Sequence, residues 1–105
     1  MEKDLKKIDY ETLSDILQKY LDEGKTEQAL EYCEKVAQTG NPYGYEFMGF
    51  IYEEGHGCVR INYRKALSCY EKADALGIDM TEDIVRVRQN IYKMQQCVCE
   101  YCDDT

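Results

Sequence analysis

An internal repeat limits what this chain can fold into. The segment from Ala29 to Gly40 returns 37 residues later as Ala66 to Gly77, with alanine, leucine, glutamate, lysine and glycine in matching places. Upstream of each copy stands a second match, Tyr20-Leu21-Asp22-Glu23-Gly24 against Tyr52-Glu53-Glu54-Gly55. A repeat of this period is one supersecondary unit that stacks on its neighbour to bury an apolar face. Each copy reads as a helix, a glycine-ended turn, a second helix and a glycine stop.

Apolar spacing agrees with that unit. Leu13, Ile16, Leu17, Tyr20 and Leu21 recur at steps of three or four residues, the stripe of a first helix. Gly24 closes it, and Thr26 is expected to cap a second helix that ends at Gly40. Asn41 caps a third helix, with Pro42 in its first turn, where the missing N–H costs nothing. That helix runs through Met48, Ile51 and Tyr52 to Gly55. Asn62 caps a fourth, ending at Gly77. Thr81, followed by Glu82 and Asp83 at the positive helix end, opens a long fifth helix. Along it Ile84, Val87, Ile91, Met94, Val98 and Tyr101 form one narrow stripe. The stripe suits a lid over the last hairpin, because a helical array leaves one flank open; a homodimeric coiled coil through this helix is the rival.

The expected architecture is therefore all-α. It comprises two antiparallel helix hairpins, residues 9–40 and 41–77, and a long C-terminal capping helix over 81–102. Together they form a short α-solenoid in one domain spanning 1–105. The 105-residue length allows one modest core.

At these positions the second unit is similar to the Sel-1-like repeat family, close relatives of tetratricopeptide repeats. The likeness rests on Gly49 before Tyr52, on Glu53-Glu54-Gly55 and on the glycine-rich loop Gly55-His56-Gly57-Cys58-Val59. It continues through Asn62-Tyr63-Arg64-Lys65-Ala66, with Tyr70, Lys72 and Ala73. Cys58 looks like an insertion against the family pattern. The first unit, with a short Gly24–Ala29 turn, is closer to a plain tetratricopeptide unit. The resemblance covers about residues 10–78. It implies a scaffold whose concave face, lined by the first helix of each unit, holds peptides or partner domains. Gly49 and Ala66 would let helix backbones approach, and the loop glycines would supply positive φ.

Residues that carry chemistry give no reacting set. Cys97-x-Cys99-x-x-Cys102 has the look of a zinc motif, and His56 could add a ligand. On a helix, however, Cys97 and Cys99 point about 200° apart, and His56 has no second ligand near it. Reduced thiols without metal are expected there, and Cys33 and Cys69 read as core residues. His56 lies in a turn with no nucleophile to pair with, and Gly-His-Gly lacks the lysine and hydroxyl of a phosphate loop. Glu53 and Glu54 are neighbours that face different ways. The chain is expected not to be an enzyme and to need no cofactor and no metal.

Charge narrows the partners. Thirteen basic against twenty-one acidic residues leave −8, which repels nucleic acid and favours a basic partner. No apolar run approaches the roughly 20 residues that span a bilayer. The polar start Met1-Glu2-Lys3-Asp4 is not that of a signal peptide; a cytoplasmic location, with no membrane contact, is expected.

On the third helix Tyr45, Met48, Gly49 and Tyr52 fall on the packing side. Tyr43, Glu46, Phe50 and Glu53 fall on the outward side and, with Tyr92 of the fifth helix, are the candidate partner-binding residues. The alternative for Tyr43 and Phe50 is plain packing against the first and fifth helices. Two functions follow: an adaptor that binds a peptide or partner surface in its groove, or a small acidic decoy that blocks a basic, nucleic-acid-handling protein. A cysteine-based zinc or redox module is a third.

Overall fold

The computed structural model describes residues 5–57 and 59–104, with side chains as far as residue 94. Five helices follow one another: α1 (Tyr10–Asp22), α2 (Thr26–Gln38), α3 (Pro42–Glu54), α4 (Tyr63–Ala75) and α5 (Thr81–Asp104). Adjacent helices pack in chain order as two hairpins, α1–α2 and α3–α4, with α5 laid along α4. The fold is all-α, a small helical-repeat arrangement.

Local chemistry sets most boundaries. Asp9 caps α1 by accepting from the Thr12 N–H at 2.9 Å, and Asn62 caps α4 through the Lys65 N–H at 3.1 Å. Asn41 does more than cap. Its Oδ1 accepts from the Tyr43 N–H, while its Nδ2 donates to the carbonyls of Leu5 and Ile8, each at 3.0 Å. The stretch before α1 is thereby pinned to the α2–α3 junction.

Thr26 does not cap α2. Lys25 holds the cap position without a side-chain bond, and Thr26 starts the helix, 1% exposed. Tertiary packing overrides its capping preference: the turn at Gly57 packs against it. Gly57 turns there with φ +54°, and a Cβ on it would stand 2.5 Å from Thr26 Oγ1. Hydrogen bonds in both directions between His56 and Val59 hold this turn. Thr26 Oγ1 and His56 Nε2 are buried without a hydrogen-bond partner among the described residues.

Two clusters make the core. Leu13, Leu17, Ala29, Cys33, Val36 and Ile51 join α1, α2 and α3. Ala66, Tyr70, Ala73, Met80 and Val87 join α4 to α5, with Tyr45 and Tyr52 packed against them from α3. Lys72 and Lys65 lie over the Tyr45 and Tyr52 rings at 5.5 and 5.3 Å, so both tyrosines belong to the α3–α4 contact. Gly49 is buried under the Tyr70 ring. Gly44 meets the α2 backbone still more closely: a Cβ there would lie 2.5 Å from the Ala37 nitrogen and 2.6 Å from the Cys33 oxygen.

Burial raises the Cys33 thiol to about 12 and the Cys69 thiol to about 11. Both are free thiols in the core, and at neutral pH they stay protonated and unreactive. Of the α5 stripe, Val87 is buried and Ile84 and Ile91 are partly buried against α4, whereas Met94 is 52% exposed. The Val98 and Tyr101 side chains, and the cysteines at 97, 99 and 102, lie outside the described side chains, as does Cys58. Among the described residues no helix is long and apolar enough to cross a membrane.

Candidate interaction groove

Stacking two hairpins and a fifth helix in this order leaves α1, α3 and α5 on one side. Between them runs a groove of about 430 Å³. From α1 it receives Tyr10, Ser14, Leu17, Gln18 and Leu21; from α3, Glu46, Phe47, Phe50, Ile51, Glu53 and Glu54. Tyr70 and Met80 close the floor, and Asp83 and Arg86 of α5 form the far wall.

The four candidates on α3 have different surroundings. Tyr43 lies outside the groove lining; it stands edge-on to Tyr10 with ring centroids 5.7 Å apart and packs on the first core cluster. Glu53 lies inside but is engaged: its side chain is 9% exposed. Its carboxylate accepts from the Tyr70 hydroxyl at 2.8 Å, and from Arg86 Nε and Nη2 at 2.6 and 2.8 Å. Arg86 also donates to Asp83 at 2.6 Å. Glu46 and Phe50 remain open to the groove. Phe50 is 42% exposed and keeps one ring neighbour, His56, at 5.6 Å. Glu46 is half-buried, and no hydrogen bond or ion pair reaches it among the described residues. Tyr92, 60% exposed on α5, lies outside the groove lining.

Electrostatics separate the two glutamates. Hydrogen bonds from Arg86, then that from Tyr70, hold the Glu53 carboxyl below its ordinary value against the cost of burial. Burial, and then the Asp83 carboxylate, push Glu46 above its ordinary value. Ion pairing is thus complete around Glu53 and lacking around Glu46. Because the Glu53 carboxyl is depressed, its stabilisation is present in full above about pH 4.5 and is lost as the pH falls through its folded-state value. Replacing Glu53 by glutamine is expected to cost about 1–2 kcal/mol near pH 7, the pair being discounted for the half-exposed guanidinium. Urea midpoints should differ at pH 7 and draw together as the pH falls through that folded-state value; equal midpoints at pH 7 would show the network to contribute nothing.

Periodicity on α3 could not reveal Tyr10 and Phe47, which pack together at 5.0 Å between centroids. Tyr10 sits at the start of α1, beyond the leucine stripe. Phe47 lies between the two stripes and is partly covered by α1. Among the described residues no group of three or more histidine, cysteine, aspartate or glutamate side chains is placed to hold a metal ion. No family model, curated protein or solved structure matches the chain significantly.

Proposed function

We propose that the chain is a non-catalytic interaction module of the Sel-1-like repeat type, an adaptor that receives a peptide or partner surface in the groove between α1, α3 and α5. Phe50 carries the proposal. It is a large aromatic side chain in a concave site, open to solvent, on a helix whose other face already supplies the core. Aromatic anchors of this kind supply much of the affinity at protein interfaces.

The test is Phe50→Ala. Affinity for any partner recovered with the parent chain should fall by about 1–4 kcal/mol, while stability stays within about 0.5 kcal/mol, as for a surface change. Partner binding is read by calorimetry and stability by urea denaturation. A loss of stability comparable to a core truncation, with unchanged affinity, would make Phe50 a packing residue and remove the groove as the binding face.

A further inference from the structure

Resting on that groove reading, we infer that the occupant is a peptide segment in which a lysine or arginine stands beside an apolar side chain, the cation seated between Glu46 and Asp83 and the apolar group on Phe50. The groove offers both halves of this chemistry. Phe50 and Tyr10 are exposed, at 42% and 44%. Around them stand four carboxylates, Glu46, Glu53, Glu54 and Asp83, against one guanidinium.

That guanidinium is already spent on Glu53 and Asp83, which leaves the groove acidic. Among the described residues neither Glu46 nor Glu54 has a counter-ion; Glu54 is exposed to solvent, Glu46 is the half-buried one, and Asp83 turns only Oδ1 to Arg86. An incoming ammonium or guanidinium would relieve the repulsion between Glu46 and Asp83, which share this lining. An acidic segment would add to it, and a neutral one would leave Glu46 half-buried and unpaired.

Spacing sets the pairing in the ligand. Glu46 and Phe50 are one helical turn apart, about 5–6 Å between side-chain origins. An extended segment matches this with residues two apart on one face, at about 6.6 Å; a helical segment matches it with residues three or four apart. In either form the cation and the apolar group must lie within four residues of each other.

Selection of random dodecapeptides displayed on phage against the full chain tests this, followed by mapping of the selected peptides on amide NMR spectra. Expected is enrichment of lysine or arginine within four residues of an aromatic or aliphatic side chain. The peptides should shift amides around Glu46, Phe50 and Asp83. Glu46→Gln should weaken them about tenfold, a loss that fits a half-buried charge pair. It should leave the melting midpoint unchanged or raised, since the Glu46 charge is disfavoured in the folded chain. Peptides that map to the groove but are neutral or acidic, or that ignore Glu46→Gln, overturn the cation inference and leave the groove reading standing. Peptides that map elsewhere, or a selection that enriches nothing, overturn both. A concentration-dependent dimer that Glu46→Gln dissolves would replace the peptide by a second copy of the chain.

Discussion

Replacing Gly44 by valine is expected to destabilise the chain by about 3 kcal/mol or more, beyond the usual 1–3 kcal/mol range for overpacking a core. The reason is what a side chain at this place would strike. The three nearest atoms all belong to the α2 backbone: the Ala37 nitrogen at 2.5 Å, the Cys33 oxygen at 2.6 Å and the Ala37 Cα at 2.9 Å. A flexible side chain could swing away; a helix backbone cannot, so α3 would have to lift off α2. That separation would expose Cys33, Val36 and Ile51, each at most 1% exposed. Glycine inside a helix costs about 1 kcal/mol against alanine, so its place here reflects the close approach. A domain of this size has about 5–15 kcal/mol in total, and for such a domain each kcal/mol moves the midpoint by about 4–8 °C. The expected fall in melting temperature is therefore about 12 °C or more, read by circular dichroism. A variant melting within a degree or two of the parent would show that α2 and α3 do not meet so closely.

Gly44 also marks the limit of what the sequence disclosed. The 37-residue repeat, the glycine stops and the asparagine caps are local signals, and the helices end where those signals place them. Thr26 carries the same kind of signal and fails, because the loop around Gly57 lies on it and its hydroxyl is enclosed by other parts of the chain. Close approach is expected from the sequence at Gly49 and Ala66, not at Gly44, because nothing local says which neighbour presses against a glycine two residues beyond Pro42.

The groove residues divide in the same way. Helix periodicity puts Tyr43, Glu46, Phe50 and Glu53 on one side of α3, but what covers each comes from far along the chain. Tyr10 precedes Tyr43 by more than thirty residues, and Arg86 follows Glu53 by 33. Sequence spacing gives the direction a side chain takes; only the packed fold decides whether Glu53 finds a guanidinium and Glu46 none.

Deleting residues 81–105 is expected to abolish cooperative folding or lower the midpoint by a margin as large as that of Gly44→Val. Six apolar side chains of the stripe predict a lid, and α5 packs three of the described ones, Ile84, Val87 and Ile91, against the α4 cluster. A fully buried aliphatic side chain contributes about 1.5–3 kcal/mol. Val87 at full weight, with the two isoleucines at about half, gives on the order of 5 kcal/mol, near the lower end of domain stability. The deletion would also bare Tyr70, Ala73 and Met80, each at most 2% exposed, and leave Glu53 without Arg86. If residues 1–80 instead unfold cooperatively at the parent's midpoint, α5 is not part of the folded unit. The coiled-coil rival predicts otherwise for Ile91→Glu: a dimer by sedimentation that falls apart into folded monomers. With Ile91 packed on the same chain's α4, the expected outcome is a destabilised chain whose mass in solution does not change.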